Sequence, residues 1–369
     1  MNLPTAADVV VIGGGAIGAS TAWHLAESGA VSVVLLERET LAAGSTSKSA
    51  GGIRQQFADE LNIRIMQRCM VAFEAFDERF ETDIGLQQPG YLFLVSPDDG
   101  PRFERAMATQ RALGVATERL TIDEAMTLVP QMDPEGLAFA TYNPRDGYAT
   151  PEAVVMGYAG AAHTRGARVR QGCTVTDVRV SAGRVSEVVT TKGSIRTPTV
   201  VCAAGVGSAA IGRMVGVDIP VRAERHWLHY SPSDCGLPVD LPLTIDFASG
   251  FYVHREGSGL LMGGREEFLD ELAMQATARI PALEGLAVQS SWSGDYEMSP
   301  DHNAIVGRTD EPAGFFYATG FSGHGFQQCP AIGEHLAQRI LGEEPSIDLA
   351  SLSLERFRSG AMREEAFVV

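Results

Sequence analysis

Five residues near the N-terminus have the types and spacing of a phosphate-binding turn. They are Gly13, Gly15, Ala16, Ile17 and Gly18, in the pattern G-x-G-x-x-G. Glycines at these places permit a tight turn, let the backbone approach a pyrophosphate, and let the following helix pack closely on the preceding strand. The chemistry that such a turn serves is the binding of a dinucleotide.

The elements that must position this turn are also present in the sequence. A β-branched run at 8–12 predicts a buried parallel strand, and the segments at 19–28 and 31–36 predict a helix and a second strand. Glu37 ends the second strand and is followed by Arg38. A carboxylate about 20 residues after the last glycine accepts hydrogen bonds from ribose hydroxyls and disfavours the 2′-phosphate of NADP.

A small, hydroxyl-rich segment follows and is predicted to wrap around the phosphates. Its candidate cofactor-binding residues are Ser45, Thr46, Ser47, Lys48, Ser49, Ala50, Gly51 and Gly52. The alternative is a flexible surface loop, but Ile53 and Phe57 supply apolar anchors that a free linker does not need.

Two later segments predict strands that rejoin the first sheet, at 199–205 and at 315–320. The second leads through a glycine turn into a helix predicted at 329–341, which offers another helix N-terminus to an anion. FAD is a long dinucleotide that is held at both ends, so it needs a second glycine turn beside the N-terminal one. A nicotinamide cofactor does not need this C-terminal turn. The further residues predicted to contact it are Val175, Ala203, Gly205, Gly323, His324, Gly325, Phe326 and Gln327.

Taken together and in this order, these motifs resemble the D-amino-acid oxidase superfamily, and most closely its glycine oxidase and sarcosine oxidase or dehydrogenase branch. The resemblance covers almost the whole chain. It implies an α/β fold in which a Rossmann-like FAD-binding domain of the glutathione-reductase type is interleaved with an α+β substrate domain built on an antiparallel sheet. We expect residues 1–85, 146–220 and 300–369 to form the first domain and residues 86–145 and 221–299 the second.

The resemblance also implies the substrate site. Arg54 matches the arginine at this place in sarcosine oxidases and is the first candidate to bind the substrate carboxylate, with a flavin phosphate or a nearby Asp as its alternative partner. Arg265 is the second candidate for the carboxylate. His324 is a candidate hydrogen-bond donor to the flavin or a structural residue of its turn. Tyr252 and Tyr296 are candidates to line the pocket, with plain core packing as the alternative.

The sequence departs from this family at several places. Tyr296 stands where glycine oxidases carry their carboxylate-binding arginine, and residues 294–302 contain no cysteine for a covalent flavin bond. We therefore expect noncovalent FAD. The oxygen-activating lysine of sarcosine oxidases would fall near Leu261, and Gln327 stands where they carry another lysine. Because a positive charge beside the flavin favours reaction with oxygen, its absence leaves the electron acceptor open between O2 and another molecule.

Composition excludes several classes of partner. The formal charge is −17 and there are only two lysines, so the sequence indicates no nucleic-acid binding. No apolar run is long enough for a membrane span, and the scattered histidines predict no metal site. Five scattered cysteines and an N-terminus without a basic leader indicate the cytoplasm, and an oligomer remains possible.

Three functions fit these observations. The first is FAD-dependent oxidation of the C–N bond of a secondary or N-substituted amino acid, by hydride transfer to flavin and hydrolysis of the resulting imine. The second is dehydrogenation of a 2-hydroxy acid, which needs a base such as His324 or His254. The third is a flavin-binding assembly factor without turnover.

Overall fold

The protein is described from a computed structural model that covers residues 3–264 and 269–367. The α-helices in this part of the chain are α1 Ala16–Ser28, α2 Glu60–Glu74, α3 Phe76–Phe80, α4 Gly100–Ala112, α5 Ile122–Leu128, α6 Pro151–Thr164, α7 Ser208–Met214, α8 Leu269–Arg279, α9 Gly325–Leu341 and α10 Glu355–Ser359. Short 3-10 turns occur at Ser45–Lys48, Gly205–Gly207, Pro281–Leu283 and Ala350–Leu352.

The strands in the same described ranges alternate with these helices. They are β1 Val9–Ile12, β2 Val33–Leu36, β3 Gly52–Ile53, β4 Tyr91–Val95, β5 Glu118–Leu120, β6 Phe139–Asn143, β7 Gly147–Tyr148, β8 Arg168–Arg170, β9 Val175–Ser181, β10 Arg184–Thr190, β11 Gly193–Arg196, β12 Thr199–Cys202, β13 Arg222–Ser231, β14 Leu243–Asp246, β15 Tyr252–Glu256, β16 Gly259–Gly264, β17 Ser290–Met298, β18 Ile305–Arg308 and β19 Phe315–Thr319.

A six-stranded sheet carries the N-terminal glycine turn. Its order is β18-β19-β12-β1-β2-β8, and all neighbours are parallel except β18 and β19. The four residues of β1 are all buried, as expected for a β-branched strand covered on both faces. Helices α1, α6 and α9 pack together against this sheet, which confirms the predicted Rossmann-like architecture.

The ends of helices α1 and α6 follow from their terminal residues. Helix α1 begins at Ala16, three residues before its predicted start, and ends where Gly29 takes a left-handed conformation with φ of 65°. Thr150 as an N-cap with Pro151 in the first turn predicts a helix at 151–164, and α6 has these bounds. Thr150 precedes α6 as predicted, but its side chain makes no capping hydrogen bond.

The predicted antiparallel sheet is an eight-stranded sheet, in the order β17-β13-β16-β15-β14-β4-β6-β5. Every neighbouring pair is antiparallel except β14 and β4, which are parallel. The segment 251–263, which the sequence predicts to be strand-like, forms β15 and β16 of this sheet, separated by a turn that contains Gly257 with φ of 58°. Strands β9, β10 and β11 form a separate three-stranded sheet that the sequence analysis missed.

The C-terminal residues pack firmly on the rest of the protein, although their charged composition predicts a loosely attached tail after about Ser353. That prediction is wrong. Arg356 is buried and donates two hydrogen bonds to the carboxylate of Asp301, at 2.8 and 2.9 Å. Glu365 and Phe367 are also buried, at 0% and 1% exposure. Three buried groups in this short segment outweigh its charged composition.

The sequence indicates neither a membrane span nor a metal site. No described helix combines the length and apolarity needed to cross a membrane. Within residues 3–264 and 269–367, no cluster of His, Cys, Asp and Glu has the arrangement of a metal site. All five cysteines are free.

Candidate active site

One long cleft joins the two glycine turns. It runs from the N-terminus of α1, past the carboxyl ends of β1, β2 and β12, to the N-terminus of α9. The predicted cofactor-binding residues that line it are Gly13, Gly15, Ala16, Ile17, Glu37, Arg38, Ser45, Thr46, Ser49, Val175, Ala203, Gly205, Gly323, Gly325 and Phe326. Tertiary folding therefore brings together segments that lie about 300 residues apart in sequence.

Two glycines of the N-terminal turn have no room for a β-carbon. Gly13 has φ of 114°, and a β-carbon there would lie 2.1 Å from the carbonyl oxygen of Ala203. A β-carbon at Gly18 would lie 1.9 Å from the carbonyl oxygen of Gly13. Either clash would push the turn away from the strand or from the helix, so any side chain here distorts the cleft.

Helices α1 and α9 present their N-termini to the cleft, and at the start of α1 the N–H of Ala16 donates to the hydroxyl of Thr46 at 3.2 Å. Gly15 caps α1 and His324 caps α9, and neither cap makes a side-chain hydrogen bond to its helix. Neither helix has an acidic residue in its first turn. Free backbone N–H groups and an uncompensated helix dipole are the features that attract an anion to a helix N-terminus.

Glu37 lies at the end of β2 and is held in a fixed orientation. Its carboxylate accepts hydrogen bonds from the backbone N–H of Gly14 at 2.7 Å and of Glu39 at 2.8 Å. Each oxygen keeps a second lone pair, so the carboxylate can still accept from a ribose hydroxyl in the cleft.

A smaller cavity, of about 70 Å³, adjoins the α9 end of the cleft and shares part of its wall. Its lining includes the predicted residues Arg54, Tyr252, Tyr296, His324 and Gln327. Arg265 lies outside the described residues.

Some predicted cofactor residues lie away from the cleft. Ala50 and Gly52 line the small cavity instead. Within the described part of the chain, neither the cleft nor the small cavity is lined by Gly18, Ser47, Lys48 or Gly51. Gly18 sits beneath the turn, and the side chain of Lys48 lies beside Gly294 of strand β17.

Arg54 is the buried cation of the small cavity, with 4% of its surface exposed. Its guanidinium donates hydrogen bonds to the carbonyl oxygens of Gln56 and Phe367, and to Nε2 of His324 at 3.1 Å. The guanidinium also lies 4.0 Å from the centre of the Phe57 ring. Burial lowers the pKa of Arg54, which means that the site holds a poorly solvated positive charge.

His324 and Gln327 orient Arg54 from the first turn of α9. Because a guanidinium only donates, Nε2 of His324 must accept, and the ring is neutral with its proton on Nδ1. Burial and the neighbouring Arg54 hold the pKa of His324 well below its usual range. The side-chain oxygen of Gln327 accepts from the backbone N–H of Arg54 at 2.9 Å.

Three tyrosines, Tyr91, Tyr252 and Tyr296, also line the small cavity. Burial raises the pKa of each phenol, to about 12 for Tyr296. All three therefore stay neutral at physiological pH and can donate a hydrogen bond to a bound ligand.

Comparison with known proteins identifies the family. Residues 8–339 match the DAO family model, described as FAD dependent oxidoreductase. The chain belongs to this family. The resemblance stated from the motifs is thereby confirmed, and with it FAD as the cofactor.

Several members of the DAO family resemble the chain over nearly its whole length. Mitochondrial sarcosine dehydrogenase of Homo sapiens is 33% identical over 384 residues, covering 96% of this chain and 42% of that protein. The chain thus spans about two fifths of that relative's length. L-proline dehydrogenase from P. horikoshii superposes with a TM-score of 0.92 at 32% identity, covering 98% of this chain and 100% of the other. Glycine oxidase from Geobacillus kaustophilus gives 0.85 at 25%, covering 95% and 99%.

The residues present fit the DAO family's FAD. A β-carbon at Gly15 would meet only the Thr46 hydroxyl, at 3.0 Å, so this turn is open to a group as bulky as a pyrophosphate. The helix N-termini at both ends of the cleft suit its phosphates and the electron-rich pyrimidine end of its flavin. Glu37 lines the same cleft and is the residue that would accept a hydrogen bond from its ribose.

Two buried acids at this site were not predicted from the sequence. Glu297 lines the cleft, and burial raises its pKa to about 7. Asp146 lies behind Arg54, accepts from the backbone N–H of Gln55 at 2.9 Å, and also has its pKa raised to about 7 by burial. Neither acid belongs to a motif, and the strands that bury them are formed by distant segments, so no local pattern could have revealed them.

Proposed function

We propose that this member of the DAO family oxidises the C–N bond of a secondary or N-substituted amino acid. The carbon next to the amine nitrogen loses a hydride, and the imine that forms then hydrolyses. FAD, when bound, supplies the hydride acceptor. The observation that carries the proposal is the buried guanidinium of Arg54 on the wall of the small cavity beside the flavin end of the cleft.

Arg54 has the environment of an anion receptor. Among the described residues, none places a carboxylate within ion-pair distance of its guanidinium, and its three hydrogen-bond acceptors are neutral groups. Those acceptors use three of the five N–H donors and leave the guanidinium without a carboxylate in direct contact, although Glu365 and Asp146 favour its charge from a distance. Since a buried charge without a counter-charge in direct contact is costly, a substrate carboxylate would complete the site.

The remaining side chains position the substrate. The phenols of Tyr252 and Tyr296 line the same cavity as Arg54 and can donate hydrogen bonds to a ligand in it, and His324 and Gln327 hold Arg54 itself. The small cavity volume suits a compact amino acid. No strong base is needed for a neutral amine, and we assign none.

Oxidation of a 2-hydroxy acid is less well supported, because that reaction needs a base for the hydroxyl proton. The lone pair of His324 Nε2 already accepts from Arg54. His254 is fully buried with its pKa lowered to about 4, and it is not part of the small cavity's lining as far as the chain is described.

We also propose the domain bounds, the class of electron acceptor and the cellular compartment. FAD binding belongs to residues 1–85, 146–220 and 300–369, and substrate binding to residues 86–145 and 221–299. The acceptor is O2 or another electron acceptor, and the absence of a lysine at Gln327 favours the latter. The five free cysteines support a reducing compartment such as the cytoplasm, and an oligomer is compatible with this function.

The decisive experiment mixes the purified yellow protein, without air, with sarcosine, proline, glycine, lactate and dimethylamine. We expect the flavin to bleach with one or more amino acids, and much less with dimethylamine, which lacks a carboxylate. Air is then admitted, and prompt return of colour identifies O2 as the acceptor.

Arg54→Met is the matched variant, because it keeps the length of the side chain and removes the charge. We expect it to hold FAD and to lose bleaching by the amino acids. Bleaching by lactate alone would instead identify a hydroxy-acid dehydrogenase. A yellow protein that no amine or hydroxy acid reduces would support the flavin-binding protein without turnover.

A further inference from the structure

A short segment at the C-terminal end of the described chain contacts the proposed carboxylate receptor. Residues 361–367, which we name the strap, end with the carbonyl oxygen of Phe367 accepting a hydrogen bond from Nη2 of Arg54. The contact joins residues 313 positions apart in sequence. Among the described acceptors on the guanidinium, Gln56 lies two residues after Arg54 and His324 lies at the start of α9, whereas this carbonyl comes from the C-terminal segment.

The phenyl ring of Phe367 anchors the strap in an aromatic cluster. It stacks on Phe103, with ring centres 4.3 Å apart, and also contacts Phe93 and Phe247. Phe93 in turn lies 5.5 Å from the guanidinium carbon of Arg54. Phe93 therefore contacts both the anchor of the strap and the surroundings of the guanidinium.

Glu365 joins the strap by hydrogen bonds to the segment that follows Arg54. Its carboxylate accepts from the backbone N–H of Ala58 and Asp59, both at 3.1 Å, and from Nδ2 of Asn62 at 3.0 Å. It also accepts from the backbone N–H of Phe367 at 3.0 Å, which holds the peptide between Ala366 and Phe367 and so limits where the carbonyl of Phe367 can lie. A fully buried carboxylate with four donors is a rigid tie between two chain segments.

These contacts matter because a guanidinium binds a carboxylate through a planar fork whose direction must be correct. The fork of Arg54 is set by the carbonyl oxygens of Gln56 and Phe367 and by His324. Without the carbonyl of Phe367, two contacts remain, and the plane of the fork is free to turn about them.

We infer that the strap is part of the substrate site, and that Glu365 is a positioning residue which sets the affinity of Arg54 for the substrate carboxylate. The inference rests on the proposed function, since it takes Arg54 as the receptor. Glu365 acts through the Phe367 carbonyl and not by contact with the substrate. Its charge also stabilises the protonated form of Arg54 from a distance.

The test measures binding, so that it does not depend on turnover. Methoxyacetate has the shape of sarcosine with an ether oxygen in place of the amine, and methoxyacetamide is the same molecule without the carboxylate charge. Perturbation of the flavin spectrum gives the Kd of each. The variants are Glu365→Ala, Arg54→Met, and the two combined. Met362→Ala is the control, because this strap side chain is 56% exposed.

We expect Glu365→Ala to raise the Kd of methoxyacetate by about ten- to a hundredfold, which corresponds to a misaligned hydrogen bond to a charged group. The Kd of methoxyacetamide and of FAD stays unchanged, and Met362→Ala behaves as the unmodified protein. In the Arg54→Met background, Glu365→Ala has no further effect, because both changes act on one interaction.

Two results would overturn the inference. One is a Glu365→Ala protein with unchanged affinity for methoxyacetate, and the other is a loss of equal size with and without Arg54. If Arg54→Met itself binds methoxyacetate normally, the proposed function fails and not merely the strap. Should Glu365→Ala lose FAD, Glu365→Gln replaces it, since the amide keeps one acceptor and disturbs the tie less.

Discussion

At the scale of single residues, the cofactor cleft contains an acid whose charge depends on pH near neutrality. Glu297 accepts a hydrogen bond from the hydroxyl of Thr319 at 2.7 Å and from backbone N–H groups of residues 320 and 321. Among the described residues, no cation forms an ion pair with it, and Cys202 is its titratable neighbour. FAD brings two further negative charges into the same cleft.

We therefore expect FAD to bind more tightly below pH 7 than above it. The pKa of Glu297 is raised to about 7, so the side chain is neutral below that pH and repels the phosphates once it ionises above it. Quenching of flavin fluorescence between pH 5.5 and 8.5, about the range that brackets this pKa, measures the Kd. Glu297→Gln should flatten the profile, and a profile identical to that of the unmodified protein would contradict the assignment.

The glycine turn gives a second expectation at this scale. Gly18→Ala should abolish FAD binding, because its β-carbon would lie 1.9 Å from the Gly13 carbonyl oxygen. Gly160→Ala in α6 is the control, since a β-carbon there meets nothing within 4 Å. The control should retain FAD and gain about 0.5–1 kcal/mol of stability from helix propensity. Copurified flavin absorbance and thermal melting distinguish the two.

At the scale of elements, the strap owes its position to its aromatic anchor. Phe367 is 1% exposed and packs in a cluster with three other phenylalanines. This charged segment packs on the protein because the ring of Phe367 is buried among other aromatic rings and the carboxylate of Glu365 is buried among hydrogen-bond donors.

Phe367→Ala should lower the free energy of unfolding by about 3–5 kcal/mol, the usual cost of removing a buried aromatic ring. Urea unfolding followed by circular dichroism measures it. Val239→Ala, at a side chain 88% exposed, should cost less than about 0.5 kcal/mol. Equal effects of the two substitutions would show that the strap does not anchor the fold.

At the scale of the whole molecule, stability depends on carboxyl groups that folding buries. Asp146 has its pKa raised from 3.8 to about 7 by complete burial. The folded state then binds a proton that the unfolded state releases, so its contribution to stability is complete below about pH 4 and declines as the pH rises to about 7.

Asp146→Asn should remove this decline while its side-chain oxygen still accepts from Gln55. The test compares the free energy of unfolding of both proteins at several values of pH between 4 and 7, where the difference must change steadily in this direction. A constant difference would mean that Asp146 is ionised throughout. Acids with lowered pKa, such as Glu74, act in the opposite sense but cancel in the comparison.

The sequence by itself determined the family, the cofactor and the architecture around the N-terminal turn. These depend on contiguous residues: the strand at 9–12, the glycines that follow, and Glu37 at the end of the next strand. Local backbone geometry and burial impose such patterns, so they can be read without knowing what else packs nearby. Arg54 and His324 were also found, but only through the family resemblance.

Only the tertiary structure decided what surrounds these residues. The hydrogen bonds from Arg54 to His324 and Phe367 span 270 and 313 positions of sequence. Glu297 and Asp146 became buried acids because distant segments closed over them. A side chain's charge, orientation and solvation depend on every segment that packs against it, and a linear pattern contains no record of those neighbours.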